Sequence, residues 1–510
     1  MTADPSNRPE APTAAGAVRG RWEDRLAVFR GIPFAAPPVG QARFAAPQPV
    51  PRWDGVRDML AFGSPAPQDF AHFRDLGFGT GALPASTDGD WLTLNVWTPA
   101  PSRSARLPVM VWFHGGAYKM GSGTLGDARI AREGGLVLVS CNYRLGVEGF
   151  AAVEGAPPNR GLLDQVAALE WVRENIAAFG GDPDRVTVFG VSAGGSSVGT
   201  LMAMPAAAGL FQRAVAQSFG GPFHSPELAA DIAAAIAGQR GLRPTAADLS
   251  TVEPSDLALA GEEAAELQRQ HIDRWGPVSE HLTLFVPIVD GEVLPATPYQ
   301  ALAGGAARDV DLIAGHNRDE YRLFLAASGK LGTIDDQDAS RVLRAFGPGP
   351  DGEKAYLAAF PDATAEQLWE WVQSDWLFRM PTLRLAQAHA TGGGRTHFYE
   401  LTWSAPGAGG RFGACHGLDQ PMVFGDFDNG LGRLLCGGPT PPAEVLEVSA
   451  RMRGAWISFA TTGDPGWPAF DTDHRLTQLF DALPIVAPYP EESSRLLWQD
   501  EDLAPLPLLR

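Results

Sequence analysis

A serine set between glycines is the residue whose surroundings most clearly suggest chemistry. Ser192 lies in the sequence G-V-S-A-G, directly after the apolar run 186–190 and before a stretch, 193–204, that can be helical. A nucleophile elbow requires this order of strand, tight turn and helix, and small neighbours that let other segments approach. The helix would also point its N-terminal amides toward negative charge formed near the serine. We therefore predict that Ser192 is a nucleophile, with a plain glycine-rich turn as the alternative.

A serine hydroxyl needs a general base, and a histidine on a loop after a strand is well placed to serve. His416 lies in the glycine-flanked segment GACHGLDQPMVFG, beyond the predicted strand 396–403. The competing histidines have other settings: His397 lies inside that strand, His389 in a helical pattern, and His316 in the turn after another strand. We predict that His416 is the base rather than any of these three, and that His397 has a packing role.

The base needs an acid to orient it, and the chain order expected around a nucleophile elbow is serine, acid, histidine. Segment 310–324 fits that order, because it reads as a strand, a polar turn and the start of a helix. The turn carries two neighbouring carboxylates, Asp319 and Glu320. Spacing alone does not separate them, so both are candidates for the acid.

A further loop carries small residues after a strand. The sequence PVMVWFHGGAYKMGSG, residues 108–123, reads as a strand that ends in His-Gly-Gly-Ala at 114–117. Small side chains leave backbone amides open to a substrate, and such amides stabilise the oxyanion formed when a carbonyl is attacked; losing one donor costs about 3 kcal/mol. His114 is predicted to hold this loop rather than to act as a base.

Short apolar runs alternate with helical patterns and indicate a mostly parallel sheet with helices on both faces. The clearest helix is predicted over 162–179, where apolar residues recur every three or four positions before a Gly-Gly-Asp-Pro stop. The runs predicted as strands share Val, Ile, Leu or Phe content and polar or glycine boundaries: 108–113, 136–141, 186–190, 214–218 and 310–315.

The same patterns divide the chain. Residues 1–15 are polar and rich in Pro and Ala, and predict a flexible N-terminal tail. Residues 16–510 are predicted to form a single domain. Within it, 225–275 and 325–395 are Ala-rich with scattered Trp and Phe, and predict helical, cap-like insertions that roof a pocket.

Composition excludes several classes of protein. The net charge is -19 with no basic run, so nucleic acid and anionic membranes are not expected partners. Three cysteines without a C-x-x-C pair argue against a disulfide framework or a zinc knuckle. There is no run of about 18 apolar residues and no secretory pattern in the first twenty residues. We therefore expect no membrane span and a cytoplasmic location.

Taken together, these motifs resemble the type B carboxylesterase family of α/β-hydrolases, which implies an α/β-hydrolase fold. The likeness runs over nearly the whole chain, in a fixed order of segments. The matching segments are FRGIPFAAPPVGQARF (29–44), DWLTLNVWTP (90–99), PVMVWFHGGAY (108–118), NYRLGVEGF (142–150), 161–195, FQRAVAQS (211–218), GHNRDE (315–320), GACHGLD (413–419) and WISFATTGDP (456–465).

The resemblance assigns roles residue by residue. It implies that Ser192 is the nucleophile, His416 the general base, and Glu320, rather than Asp319, the acid. It implies that the oxyanion donors are Gly116 and Ala117 on the H-G-G-A loop and Ala193 after the nucleophile. It also implies that Ser218 is a buried serine that supports the acid. It implies no cofactor and no metal.

The implied activity is hydrolysis of a small-molecule carboxylic ester through an acyl-enzyme. Small to medium, largely uncharged or hydrophobic esters are the expected substrates. A carbamate or amide hydrolase with the same triad is one alternative. A non-catalytic adhesion relative is another, disfavoured because all three triad residues are present.

The chain also departs from the family pattern. Ala66 and Trp91 occupy positions where secreted members carry disulfide cysteines. Gly89 replaces a glutamate that commonly pairs with Arg43, so we expect Asp90 as the partner of Arg43.

Large aromatic residues could shape the pocket. Phe219 follows Ser218 where a small residue is usual; it would narrow the acyl side if it faced the pocket, and core packing is the alternative. Other possible pocket walls, for which core packing is equally expected, are Trp275, Phe285, Trp371, Trp376 and Phe378.

Overall fold

A computed structural model describes residues 8–68, 89–280, 283–428 and 430–509. Its strands are β1 (Glu10–Pro12), β2 (Ala17–Arg19), β3 (Arg21–Glu23), β4 (Leu26–Pro33), β5 (Val56–Asp58), β6 (Thr93–Thr98), β7 (Leu107–Phe113), β8 (Val137–Cys141), β9 (Gly181–Val191), β10 (Arg213–Gln217), β11 (Asp311–Asn317), β12 (Thr396–Leu401), β13 (Leu476–Phe480) and β14 (Ile485–Pro488).

The α-helices are α1 (Arg129–Gly134), α2 (Gly146–Phe150), α3 (Arg160–Asn175), α4 (Ala193–Ala203), α5 (Pro226–Gly238), α6 (Ala246–Leu249), α7 (Pro254–Gln270), α8 (Ile272–Trp275), α9 (Pro298–Ala303), α10 (Arg322–Ala327), α11 (Asp336–Phe346), α12 (Gly352–Ala359), α13 (Ala365–Ser374), α14 (Met380–Thr391), α15 (Asp419–Phe424), α16 (Gly430–Cys436), α17 (Ala443–Thr462) and α18 (Glu492–Trp498). A π-helical turn, Asp375–Arg379, joins α13 to α14.

One large sheet organises the molecule, in the order β14-β13-β12-β11-β10-β9-β7-β8-β6-β4-β3. The strands from β13 through to β8 pair in parallel, whereas β14 at one edge and β6, β4 and β3 at the other pair antiparallel. The expected mostly parallel sheet is confirmed. Each apolar run predicted as a strand is one, because strands covered on both faces must be apolar throughout.

Side chains alternate across this sheet and build a separate core on each face. Along β7, Val109 and Val111 enter one apolar cluster, while Met110 and Trp112 enter the other. Helices α3, α4 and α14 contribute to the first cluster, and α15 and α17 to the second. The helix predicted over 162–179 is confirmed as α3 followed by a 3-10 turn at Ile176–Phe179.

The two segments predicted to be helical contain α5 to α8 and α11 to α14. Parts of α11, α12 and α13 build a third apolar cluster with the π-helical turn. The assignment of residues 16–510 to one domain remains a prediction.

The prediction of a loose tail is wrong for residues 8–15. Strand β1 pairs antiparallel with β2, with Glu10 opposite Arg19, and the amide of Ala14 donates to Oδ1 of Asn175 at 2.8 Å. A short polar strand of this kind gives no apolar signal in the sequence, because its stability comes from backbone pairing and an anchoring side chain. Residues 1–7 lie outside the described part of the chain.

The expected partner of Arg43 is also wrong. Its guanidinium donates from Nε to Glu148 Oε1 at 2.9 Å and also bonds the carbonyl of Val252. Arg43 and Glu148 are both buried, and a buried guanidinium requires an equally buried carboxylate to offset its lost hydration. Glu148 on α2 meets that requirement, whereas Asp90 is not the partner.

Phe219 is a core residue. It has no exposed surface, and its ring packs near Phe223 and Tyr299. A methyl group placed on Gly199 of α4 would come within 2.4 Å of it, so the ring fills the space above that helix. The thiols of Cys141, Cys415 and Cys436 are likewise buried and unbridged.

Candidate active site

Ser192 occupies a strained turn between β9 and α4. Its backbone angles are φ 61° and ψ -126°, a region that residues with a side chain adopt at a cost. The amide of Ser192 donates to the carbonyl of Gln217, the last residue of β10, at 2.9 Å. The predicted order of strand, tight turn and helix is therefore present, and the neighbouring strand end holds the turn.

The close packing around this turn explains why glycines lie on both sides of Ser192. A Cβ on Gly190 would be 2.5 Å from the carbonyl carbon of Gly194. A Cβ on Gly194 would be 2.1 Å from the carbonyl oxygen of Phe113, and one on Gly195 would be 2.2 Å from that of Gln217. Contacts this short are repulsive, so glycines let α4 start directly against β7 and β10.

Glu320 is fully buried at the turn after β11, and its carboxylate binds the predicted base. Oε2 lies 2.6 Å from Nδ1 of His416. Oε1 accepts from Oγ of Ser218 at 2.6 Å and from the amide of Asn317 at 2.8 Å. The structure thus brings together Glu320, His416 and Ser218.

The neighbouring carboxylate faces elsewhere. Oδ2 of Asp319 accepts from the amide of Ala414 at 2.8 Å, and Oδ1 lies 3.4 Å from Nε of Arg318. Asp319 therefore holds the loop that carries His416, while Glu320 contacts the ring itself. The geometry favours Glu320 over Asp319, a choice that spacing had left open.

The sheet register places Ser192 at the same end of the strands as Ser218 and Glu320. Gln217 lies opposite Val191 on β9 and opposite Gly315 on β11, so the residues that follow these three strands leave the sheet side by side. Within the described residues no hydrogen bond joins Oγ of Ser192 to His416. Because Nδ1 of His416 faces Glu320, Nε2 is the nitrogen left for a serine or a substrate.

Ser196, one turn along α4, braces this region and was not anticipated. Its hydroxyl donates to the carbonyl of Ser192 at 3.1 Å and accepts from the amide of Gly220 at 2.8 Å. A polar residue at position i+4 from the nucleophile, on the same helix face, is the signal that could have indicated it.

The loop after β7 lies beside the serine. A methyl group on Gly115 would come 3.2 Å from Cβ of Ser192. Gly116 has φ 114° and Ala117 φ 53°, so the loop turns sharply and its amides leave the direction of the strand. Among the described residues, the amides of Gly116, Ala117 and Ala193 have no hydrogen-bond acceptor. Free amides next to Ser192 are what oxyanion binding requires.

His114 holds this loop, as predicted. Its ring stacks on Tyr143 with centroids 4.3 Å apart, and Nδ1 lies 2.8 Å from the carbonyl of Gly115. The hydroxyl of Tyr143 donates to the carbonyl of His114 at 2.7 Å. Burial lowers the pKa of His114 to about 4, so the ring is neutral at physiological pH.

The other candidate histidines have hydrogen-bond partners outside the predicted triad. Nδ1 of His389 lies 2.8 Å from Oγ1 of Thr396, and Nδ1 of His397 lies 3.1 Å from the carbonyl of Trp467. His316 contacts the hydroxyl of Tyr489 through Nε2 at 3.2 Å. Within the described chain, one group of three potential metal ligands comes together, and none of its members belongs to the predicted triad: His316, Glu400 and Glu491.

Two phenylalanines flank the ring of His416. The ring of Phe378, in the π-helical turn, stacks on His416 with centroids 4.2 Å apart and planes at 28°. Phe324 lies 5.1 Å from the same ring. Phe378 was among the proposed pocket walls, whereas Phe324 was missed, although its place four residues after Glu320 at the start of a predicted helix could have indicated it.

The remaining proposed pocket walls contact other parts of the molecule. Trp275 stacks on His271 and donates to Asp231, Phe285 is buried beside Gly261, Trp371 packs on Phe360, and Trp376 packs on Phe346.

The family of the chain follows from comparison with known proteins. The sequence model of a protein family, described as the carboxylesterase family, matches residues 7–479. The chain belongs to the carboxylesterase family. The para-nitrobenzyl esterase of Bacillus subtilis (strain 168) is 37% identical to this carboxylesterase over 504 residues, covering 95% of this chain and 97% of that protein. The phenmedipham hydrolase of Pseudarthrobacter oxydans is 36% identical, covering 91% and 94% respectively.

Solved structures agree with this assignment. A thermophilic PNB esterase superposes with a TM-score of 0.83 at 34% identity, covering 96% of this carboxylesterase and 100% of the other chain. A carboxylesterase of Geobacillus stearothermophilus superposes with a TM-score of 0.81 at 34% identity and the same coverage. The α/β-hydrolase fold and carboxylic-ester hydrolysis are thus confirmed, and the non-catalytic alternative is set aside. Among the described helices, none is long and apolar enough to cross a membrane.

Proposed function

We propose that Ser192, His416 and Glu320 are the catalytic triad of this carboxylesterase. The observation that carries the proposal is the carboxylate of Glu320, buried between Nδ1 of His416 and Oγ of Ser218 at distances of 2.6 Å each. Such a carboxylate fixes the ring tautomer with the proton on Nδ1, so Nε2 is free to accept a proton. The strained elbow of Ser192 at the adjacent strand end supports its role as the nucleophile.

The reaction then proceeds through an acyl-enzyme. Oγ of Ser192 attacks the ester carbonyl while Nε2 of His416 accepts the hydroxyl proton, and the ionised Glu320 stabilises the imidazolium. His416 next gives this proton to the leaving alcohol. A water molecule, activated by the same nitrogen, attacks the acyl-serine and releases the acid. The contact between Ser192 and His416 is expected to tighten when substrate binds, as is common for catalytic hydrogen bonds.

The oxyanion of each tetrahedral intermediate would bind three backbone amides, those of Gly116, Ala117 and Ala193. Support comes from the lack of acceptors for these amides within the described residues and from the contact between their loop and Ser192. Because the loop is fixed by the stacked and hydrogen-bonded His114, the donors are positioned before the charge develops.

Small to medium, largely uncharged or hydrophobic esters are the proposed substrates. The aromatic faces of Phe378 and Phe324 beside His416 support this choice, because they offer apolar contact close to the reacting atoms. The helical segments 225–275 and 325–395 are proposed to cover the site, and the second of them supplies Phe378. A cytoplasmic location is proposed as well, since three buried unbridged thiols suit a reducing compartment.

Carbamates and amides remain a second substrate class, because the same triad forms an acyl-enzyme from all three. One relative is named a phenmedipham hydrolase rather than an esterase, so activity in this family is not restricted to a single substrate. Comparing kcat/KM on a nitrophenyl ester, a nitrophenyl carbamate and a nitroanilide with acyl substituents of matched size decides the class.

Replacing the nucleophile is the direct test. We expect Ser192→Ala to lower kcat on a nitrophenyl ester by at least about 10⁴-fold, because no other hydroxyl can form the acyl-enzyme. The melting temperature should stay close to that of the unmodified protein, and labelling by an organophosphonate should be lost. Retention of near-normal turnover in this variant would refute the assignment of Ser192.

Neighbouring carboxylates provide a matched test of the acid. Glu320→Gln should lower kcat by about 10²–10⁴-fold, because an amide neither fixes the His416 tautomer nor stabilises the imidazolium. Asp319→Asn, one residue away, keeps an oxygen that can accept from the amide of Ala414 and should retain most of the activity. Equal losses in the two variants would mean that Glu320 has no special role.

A further inference from the structure

Three metal-ligating side chains meet on the sheet beside the triad, in a place that ester hydrolysis does not use. His316 on β11 lies directly opposite Glu400 on β12 in the sheet register. Glu491, just before α18, joins them from the C-terminal region. One ligand atom from each of the three lies within 4.8 Å of the others. Three distant parts of the chain therefore bring one nitrogen and two carboxylates to a single point.

The carboxylate of Glu400 is the unusual feature of this cluster. Its side chain is 0% exposed, no N–H or O–H donor among the described residues reaches its oxygens, and its hydrogen-bonding neighbour is the carboxylate of Glu491. The buried Oε2 of Glu491 is also without a donor there. Removing an ionised carboxylate from water without a partner costs several kcal/mol, so two such groups side by side require either a shared proton or a cation between them.

The guanidinium of Arg379, which with that of Arg318 acts on Glu400, has its hydrogen bonds elsewhere. Nε of Arg379 donates to Oδ1 of Asp375 at 2.7 Å, and Nη1 donates to the carbonyl of Arg318 at 3.2 Å. The charge of Arg379 acts on Glu400 through space, but it does not satisfy the carboxylate oxygens. The carboxylate of Glu400 lies beside that of Glu491, and two buried carboxylates in contact are not both ionised without a counter-charge. The pair must therefore share either a proton or a cation.

His316 has the tautomer that a metal requires. Its Nδ1 lies 3.1 Å from the carbonyl oxygen of Asn317, which can only accept, so Nδ1 carries the proton. Nε2 then presents a lone pair, to which the hydroxyl of Tyr489 donates at 3.2 Å. A backbone carbonyl that orients the distal ring nitrogen is the usual support of a metal-bound histidine.

We propose that Nε2 of His316 and the carboxylates of Glu400 and Glu491 bind one divalent cation of the Zn²⁺ type. Imidazole with two carboxylates suits Zn²⁺, whereas Mg²⁺ and Ca²⁺ prefer oxygen ligands throughout. The cation neutralises the two carboxylates and takes the lone pair of Nε2 that the hydroxyl of Tyr489 occupies in its absence, so this hydroxyl is displaced on binding. Glu491 is the partly exposed member of the three and marks the side of entry.

The bound cation has a structural role in this proposal. It ties β11 and β12 to the segment before α18, and His316 precedes Glu320 by four residues on the same strand and turn. It touches neither Ser192 nor His416. The expected effect is therefore on the stability of the folded chain, and the site is independent of the proposed catalytic roles.

Metal content is the measurement that tests this site. The full-length protein is stripped with a chelator and dialysed against Zn²⁺, and bound zinc is measured per chain by mass spectrometry. We expect one Zn²⁺ per chain and a higher melting temperature than in the stripped protein. Co²⁺ in place of Zn²⁺ should give the visible absorption bands of a site with nitrogen and oxygen ligands.

Variants distinguish zinc binding at this site from nonspecific zinc binding at the surface. Glu400→Gln keeps the shape of the side chain and should abolish zinc binding and the zinc-dependent rise in melting temperature. Glu491→Gln, at the partly exposed position, provides the same test if the first variant folds poorly. His474→Gln is the matched control, since His474 pairs with Asp471 on the surface, where the two side chains are 75% and 49% exposed. It should bind zinc like the unmodified protein.

A proton shared between the carboxylates of Glu400 and Glu491 is the alternative to a bound cation. If the carboxylates hold a proton instead, the unmodified protein binds no more zinc than Glu400→Gln does, and that substitution raises the melting temperature at neutral pH regardless of zinc. Either result overturns the proposal, and neither affects the assignment of Ser192, which is tested by turnover.

Discussion

Each hydrogen-bond partner of the Glu320 carboxylate comes from a different strand end. Ser218 follows β10, Asn317 ends β11, and His416 lies on the loop after β12. Two donors at Oε1 keep that oxygen fixed, so Oε2 alone faces the imidazole. The carboxylate is thus oriented by the sheet itself, and the orientation of His416 follows from it.

Ser218 is predicted to act on catalysis through this carboxylate. Ser218→Ala removes the hydroxyl that donates to Oε1 at 2.6 Å, and a hydrogen bond to a charged group contributes about 1.5–3 kcal/mol. We expect kcat on a nitrophenyl ester to fall about tenfold or more, with KM little changed, because Ser218 does not touch Ser192 or the oxyanion amides.

A second variant separates the hydroxyl from the backbone. Ser218 has φ 48°, a conformation that glycine adopts without strain and alanine does not. Ser218→Gly should therefore show the same loss of kcat as Ser218→Ala but a higher melting temperature. If Ser218→Gly regains kcat along with stability, the missing hydroxyl is not the cause of the loss in Ser218→Ala.

Residue types alone could predict most of this site, and the reasons are local. Ser192 and the H-G-G-A loop follow strong apolar strands, and glycines mark where chain segments must approach. The choice between Asp319 and Glu320 depends on which way each side chain leaves the turn, and only the resemblance to the family indicated it in advance. Phe324 was missed because its contact with His416 depends on how its helix packs on a separate loop, and Ser196 because its hydroxyl meets Gly220 only in the folded chain.

At the scale of elements, the π-helical turn Asp375–Arg379 sets the position of Phe378 against His416. Pro381 follows this turn and has no amide hydrogen for the carbonyl of Leu377 four residues before it. That carbonyl instead accepts from the amide of Gly221 at 2.9 Å, on the segment that follows β10. The irregular turn therefore links the second helical segment to the strand ends that carry the triad.

A buried ion pair stabilises this turn, and breaking it should be costly. Asp375 and Arg379 are 0% and 3% exposed and lie 2.7 Å apart, and Asp375 also accepts from the hydroxyl of Tyr356 at 2.6 Å. Asp375→Asn leaves the guanidinium buried without its counter-charge, so we expect a loss of about 3–5 kcal/mol in the free energy of unfolding. Urea unfolding monitored by tryptophan fluorescence measures it.

The control for this substitution is a pair with the same spacing on the surface. Glu447 and Arg451 are also four residues apart on a helix, but their side chains are 65% and 37% exposed. Glu447→Gln should leave the urea midpoint unchanged within error, because solvent screens exposed pairs. Similar losses for Asp375→Asn and Glu447→Gln would mean that burial does not govern the effect.

Sequence patterns predicted the interior strands closely and the edges poorly. Strands such as β7 and β8 are covered on both faces, so their apolar runs end where the strands end. Strand β14 at the sheet edge is largely exposed, and β1 has only three residues, so neither gives a run of apolar residues. The helical segments were predicted as helices, but their packing and the π-helical turn depend on tertiary contacts such as that of Gly221.

At the scale of the whole molecule, stability depends on pH through carboxyl groups that folding buries. Glu370 on α13 is 3% exposed and accepts from Oγ of Ser374 at 2.7 Å. Burial raises its pKa from 4.5 to about 7. Between these values the folded protein keeps a proton that the unfolded chain releases. Unfolding is therefore increasingly favoured as the pH rises through this window, and the effect of Glu370 levels off above about pH 7.

Glu370→Gln should remove this contribution and change the pH dependence in a defined direction. A shift from 4.5 to about 7 corresponds to about 3 kcal/mol. Below pH 4.5 the variant and the unmodified protein should have nearly equal stability, because both carry a neutral group whose oxygen accepts from Ser374. At pH 8 the variant should be more stable by about that amount, measured as the difference in urea midpoints. Glu447→Gln, on the surface, should show no such divergence. A difference that stays constant from pH 4.5 to pH 8 would mean that Glu370 is already ionised in the folded protein, with a charged partner that offsets its burial.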